Sequence, residues 1–232
     1  LFTDFLSVRW RKSANGCLLN DMSHTPGVRQ AQKQQTRQAL LDAGLRLLEH
    51  QNLSSLGLRE VTRAVGVSPA AFYRHFPDMA GLGVALVGES LGSLHAVIRA
   101  VMAETTDSAG IIDRTVAITA EYVARHRPHI RFIARERYGG VQAVREAIAA
   151  ELQGFADEVA AGLATQPASK GWSPGELRVL AELYVDHMVM TAAAFLDVAP
   201  DDTAGLEHLA HAARLRMRII SIGRAHWLDP QP

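Results

Sequence analysis

Apolar residues along this chain recur at intervals of three and four, the spacing that gathers them on one face of an α-helix. Leu40, Ala43, Leu47 and Leu48 mark such a face in a first helix over residues 32–50, and Asn52 with Ser54 and Ser55 punctuates its end. A short second helix, residues 58–65, turns Val61, Ala64 and Val65 inward and stops at Gly66, a residue suited to a tight turn. Val67-Ser68-Pro69 then spells a helix start, with Ser68 as N-cap and Pro69 at the first helical position. The third helix, residues 69–76, has room for only two turns before Pro77-Asp78 breaks it. A long helix follows over residues 79–104.

The same spacing predicts helices over residues 111–127, 128–138, 141–165, 173–198 and 203–227. Polar residues 105–110, Pro128, Gly139-Gly140, the loose stretch 166–172 and Pro200-Asp201-Asp202 separate them, and Ser173-Pro174 repeats the cap-plus-proline device. The expected fold is all-α with about nine helices. An N-terminal three-helix segment over residues 32–78 precedes a helical body over residues 79–232. Residues 1–31, which include an unusual opening at Leu1 and a more ordinary polar lead-in from Met22, are expected to be disordered or extraneous to the fold.

Composition agrees with a buried helical core: 48% of residues are hydrophobic, 21% charged and only 6% aromatic. The formal net charge is zero, but its distribution is uneven. Residues 1–80 carry ten Lys or Arg against six Asp or Glu, a net of +4, which leaves −4 on the remainder. A basic head on an acidic body suits a protein whose head meets phosphate. The single cysteine, Cys17, excludes an internal disulfide and a multi-cysteine metal site. No unbroken run of eighteen apolar residues argues for a membrane span, and the first twenty residues lack the order of a signal peptide, so a cytoplasmic setting is expected.

Two short helices joined by a glycine turn, the second opened by Ser-Pro, form a helix-turn-helix pattern. A two-turn helix led by small residues, Ala70 and Ala71, can enter a major groove roughly 12 Å wide. Phe72 and Phe76, four apart, face the core, which leaves Tyr73, Arg74 and His75 outward for phosphate oxygens. Ser68 and the first amides of this helix add donors for the same backbone. A helical hairpin without a DNA role is the competing reading of the pattern alone.

The stretch 36–86, centred on LREVTRAVGVSPAAFYRHF, resembles the DNA-binding domain of the tetracycline-repressor (TetR) family. Thr36-Arg37 opens helix one as in that family, Ala43 and Gly44 lie within it, and Leu58-Arg59-Glu60-Val61 matches helix two. Gly66-Val67-Ser68 matches the turn, and the run from Phe72 to Phe76 matches the end of the recognition helix. The resemblance implies DNA-binding positions at Thr36, Arg37, Arg59, Ser68, Pro69, Ala70, Ala71, Tyr73, Arg74 and His75. One departure is Met79, where the family commonly places a phosphate-contacting lysine. In that departure, and in Phe132-Ile133-Ala134-Arg135-Glu136-Arg137 before a glycine, the chain is similar to the branch that represses unsaturated fatty-acid synthesis (the FabR and DesT type).

The resemblance implies a helix-turn-helix DNA-binding domain over residues 32–78, a ligand-binding and dimerisation domain over residues 79–232, a homodimer on near-palindromic double-stranded operator DNA, a hydrophobic effector of the acyl-CoA or acyl-carrier-protein kind, and no cofactor. Arg135 and Arg137, with His126, Arg127, His129 and Arg131 nearby, are candidates for effector phosphates; solvated Arg–Glu pairs between helices are the alternative. His187 and Met190 are candidate pocket residues, with core packing as their alternative. The last two helices are expected to form the dimer interface through Leu177, Leu180, Leu183, Tyr184, Leu215, Met217, Ile220 and Ile222. His126-x2-His129 and Asp186-His187 fall short of a convergent metal set. No nucleophile with its base stands out, so an enzyme is not expected. A repressor of an efflux or catabolic operon and, in a different class, a helical enzyme are the alternatives.

Overall fold

The structure is a computed structural model that describes residues 26–104 and 108–228; Cys17, Met22 and most of the expected extension lie outside the described residues. Ten α-helical segments follow one another: α1 (Pro26–Leu47), α2 (Leu58–Val65), α3 (Pro69–Phe72), α4 (Met79–Leu91), α5 (Leu94–Glu104), α6 (Ser108–Arg125), α7 (Arg127–Glu136), α8 (Gln142–Ala164), α9 (Pro174–Asp197) and α10 (Thr203–His226). A 3-10 turn, Pro167–Ser169, occupies the stretch between α8 and α9, and no strand occurs among the described residues. α4 and α5 together are the single helix expected over residues 79–104, interrupted at Gly92-Ser93, so the expected nine helices correspond to these ten segments.

α1 begins at Pro26, six residues before its apolar periodicity does. Its leading residues are Gln, Lys, Arg and Ala, good helix formers that carry no hydrophobic signal. Of the described residues, those before Thr36 belong to one unit and those from Thr36 onward to another. Within the first, residues 28–35 are exposed on helix α1.

In the second unit one hydrophobic cluster joins α1 (Leu40, Leu41), α2 (Val61), Phe72, Phe76 and α4 (Leu82, Leu86) to α7 (Phe132) and α8 (Val144, Ile148). The helix-turn-helix therefore shares its core with the body. Gly83 marks the closest approach, since a Cβ there would lie 2.6 Å from a Val144 methyl carbon. A second cluster gathers Val116, Ala156, Leu177, Leu180, Ala181, Tyr184, Ala213 and Met217 from α6, α8, α9 and α10.

The expected cap at Ser173 is a full capping box: its Oγ accepts from Glu176 N at 3.3 Å, and Glu176 Oε2 accepts from Ser173 N at 2.8 Å. Two stretches, Met79–Ala103 and α9, have the length and mean hydropathy that a membrane span would need, although no unbroken apolar run was present in the sequence. Both contribute residues to the buried clusters and to the wall of an internal cavity, a use that accounts for their apolarity within a helical bundle.

Candidate DNA interface and effector cavity

The turn between α2 and α3 depends on Gly66, which adopts φ 74° in the left-handed region. Its N–H donates to Arg63 O at 3.2 Å, and Val67 N donates to Thr62 O at 3.0 Å, closing α2 in the manner of a Schellman motif. Ser68 Oγ accepts from Ala71 N at 3.2 Å, so this hydroxyl is engaged as the N-cap of α3. Regular α3 ends at Phe72, shorter than the expected residues 69–76; tight turns continue through His75 N to Phe72 O (2.8 Å) and Phe76 N to Phe72 O (3.1 Å).

Phe72 and Phe76 are buried with ring centroids 5.5 Å apart, as their spacing implied. Pro69, Ala70, Arg74 and Arg59 are exposed, and Tyr73 is 59% exposed. Ala71 and Thr36 are half-buried. His75 is also half-buried, its ring centroid 6.5 Å from that of Phe76, and so points outward less than the sequence suggested. The exposed Arg37 places its guanidinium 5.1 Å from the Phe76 ring centre, a cation–π contact joining α1 to the end of the recognition segment. Asp78 caps α4 by accepting from Gly81 N at 2.7 Å, and Met79 beside it is half-buried.

The body holds a partly open cavity of about 200 Å³ walled by the end of α4 and by α5 through α10. Most of the wall is aliphatic, including Ile98, Val101, Ile112, Ile133, Val159 and Met188. Ala192 and Ala193 line it, whereas the space beside Gly162 is filled by Met102. Polar groups gather at one end: Ser108, Gln166, Tyr184, Ser221 and Arg224. Arg224, 3% exposed, donates from Nη1 to Gln166 Oε1 (2.8 Å) and from Nη2 to Ser108 Oγ (3.0 Å). Burial lowers the pKa of its guanidinium from the ordinary value and raises that of the Tyr184 phenol. Tyr122, also in the wall, donates its hydroxyl proton to Ser90 O at 2.6 Å, just before the α4–α5 interruption.

None of the four effector residues drawn from the sequence lines this cavity. Arg135 donates to the carbonyls of Leu48 (2.8 Å), Gln51 (3.0 Å) and Glu49 (3.5 Å), closing the C-terminal end of α1. Arg137 pairs with Asp186 at 2.8 Å and stacks on Tyr138. His187 lies 3.3 Å from Ala213 O, and Met190 is 71% exposed. Arg127 donates to Leu196 O at the end of α9, and Arg131 lies 3.7 Å from Glu49. The arginines of α7 bind neighbouring elements of the same chain.

The polar end of the cavity escaped the sequence reading, yet a signal for it was present. Met217, Ser221 and Arg224 are spaced four and three apart on α10, which places an arginine on the same stripe as a buried methionine. Glu136, 1% exposed on α7, also has a positioning part: its Oε1 accepts from Leu53 N at 2.9 Å and fastens α7 to the loop before α2.

Residues 40–86 match the family model for bacterial regulatory proteins of the tetR family. Among solved structures, the chain is similar to the fatty acid degradation regulator FadR from Bacillus halodurans (15% identity, 84% of this chain and 97% of that one, TM-score 0.60). It is also similar to the transcriptional regulator FadR from Bacillus subtilis, solved in complex with stearoyl-CoA (13% identity, 78% and 96%, TM-score 0.63). A third is a putative TetR-family transcriptional regulator from Syntrophomonas wolfei (12% identity, 82% and 96%, TM-score 0.67). These likenesses show a TetR-like fold, with an N-terminal helix-turn-helix and a helical C-terminal domain. The matched segment runs from α1 to α4 and so spans the helix-turn-helix.

Proposed function

We propose that this chain is a ligand-responsive, cytoplasmic repressor that binds near-palindromic DNA as a homodimer and regulates genes of lipid or fatty-acid metabolism. The observation that carries the ligand-responsive part is the placement of α7. Ile130, Ile133 and Ala134 of this helix line the cavity, while Arg135 and Glu136 hold the end of α1 and the loop leading to α2. An effector that shifts α7 therefore acts directly on the elements that carry the recognition segment. The coupling needs only differential affinity for two arrangements, and a few kcal/mol suffices. The fatty-acyl part rests on the aliphatic wall and on likeness to the two FadR proteins, one of which holds stearoyl-CoA.

In the head, exposed Tyr73 and Arg74 contact phosphates, and the leading edge at Pro69 and Ala70 approaches base edges. A gel-shift titration against the promoter region of its own gene tests the reading, with acyl-CoA added as the effector. Tyr73→Ala should weaken binding to specific and nonspecific duplexes by similar factors; a changed sequence preference at undiminished affinity would assign Tyr73 to base reading instead. The cavity volume favours a second reading of the effector alone, a smaller hydrophobic molecule. An engineered cavity of about 150 Å³ in another protein holds benzene, so about 200 Å³ suits a chain shorter than stearoyl.

A further inference from the structure

The polar end of the cavity contains donors that no described residue accepts from. Arg224 Nε and Gln166 Nε2 are both buried, and neither has a hydrogen-bond acceptor among the described residues. Gln166 uses its Oε1 to receive Arg224 Nη1, which fixes the amide so that its NH2 group remains a donor. Among the described residues no carboxylate pairs with Arg224. A guanidinium 3% exposed in an aliphatic chamber is costly to bury without an anion. Its planar fork fits the two oxygens of a carboxylate, and the neighbouring amide supplies a further donor.

We propose that the cavity binds a free carboxylic acid, with its carboxylate against Arg224 and Gln166 and its hydrocarbon part along the aliphatic wall. The proposal rests on the cavity being the effector site and specifies the headgroup. A CoA thioester offers a neutral carbonyl here, which accepts a hydrogen bond but leaves the guanidinium without a counter-charge. It would also draw a bulky polyphosphate nucleotide toward the protein interior. By this inference the acid itself, released from its thioester, is the better ligand.

Calorimetry on the full chain with decanoate, methyl decanoate and decanoyl-CoA tests this without any mutation. Decanoate should bind at least tenfold more tightly than methyl decanoate or decanoyl-CoA. Arg224→Gln, checked for folding by its helical circular dichroism and melting transition, should remove the preference and leave the methyl ester affinity within about twofold. Equal binding of acid and ester, or tight binding of decanoyl-CoA with none of the acid, would overturn the carboxylate site while leaving the cavity as an effector site. Absence of binding by all three compounds would remove both this inference and the acyl-effector reading on which it rests.

Discussion

Arg135 directs its guanidinium at three carbonyls near the end of α1, where the helix has run out of its own amide partners. Hydrogen bonds from a charged donor contribute about 1.5–3 kcal/mol each in favourable settings. Arg135→Ala should therefore lower unfolding stability in urea by about 2 kcal/mol, with decanoate affinity little changed. Arg137→Ala breaks a pair with the exposed Asp186 and should cost less than about 1 kcal/mol. A large loss of ligand affinity from Arg135→Ala would return this residue to the effector site. The sequence displayed the cluster of arginines but not their partners, because the acceptors are backbone carbonyls more than eighty residues away that have no side-chain signature. The histidines are likewise decided by tertiary surroundings. Burial lowers the pKa of His126, His129 and His187 from the ordinary 6.5. The unfolded chain therefore takes up more protons as the pH falls below that value. Their contribution to stability is complete above about pH 6.5 and is lost on acidification. The urea midpoint should fall between pH 7.5 and 5.5, and fall less in His126→Gln; a midpoint that rose toward pH 5.5 would contradict this assignment.

Among the elements, the α4–α5 interruption departs most clearly from the apolar pattern, which ran unbroken through residues 79–104. Gly88, Ser90, Gly92 and Ser93 weaken the helix locally, and Ser90 Oγ donates back to Leu86 O at 2.7 Å, a bond that bends helices. Tyr122 completes the arrangement by donating to Ser90 O from the cavity wall. The small polar residues were visible in the sequence, but the tyrosine that takes up the carbonyl comes from α6 and was not. No side chain crowds Gly88, where an added Cβ meets nothing within 4 Å. Gly88→Ala should accordingly stabilise the protein by about 0.5–1 kcal/mol, read as a higher melting temperature. If the interruption serves as a hinge, the same change should reduce the effect of the ligand on DNA binding. Helix boundaries elsewhere were legible where a cap marked them, as at Ser68 and Ser173. α3 ended early because turns of the 3-10 kind and regular α-helix share the same apolar spacing over so short a stretch.

At the scale of the whole molecule, α9 and α10 are apolar on two faces, and the pattern alone could not say which face is internal. Leu177, Leu180, Tyr184 and Met217, expected at a dimer interface, are buried within the chain, and Ile220 packs partly against the same cluster. The outer faces instead present Val179, Leu183 and Met190 on α9 with Leu215, Ile219 and Ile222 on α10, all more than half exposed. Exposed apolar stripes on adjacent helices fit a four-helix interface with a second copy. Leu215→Asp or Ile219→Asp should yield a monomer by light scattering with its helical content intact, since neither residue belongs to the internal core. A variant that remained dimeric would place the interface elsewhere. The division of labour on α7 has a consequence for how such a protein can be repurposed. The cavity is walled mainly by α5, α6, α8 and α9, whereas Arg135 and Glu136 hold the end of α1 and the loop before α2. If the cavity is the effector site, diversifying the chamber around Ile98, Thr119 and Val189 should alter which compound is sensed and leave Arg135 and Glu136 in place, making this scaffold a starting point for biosensors with new inputs.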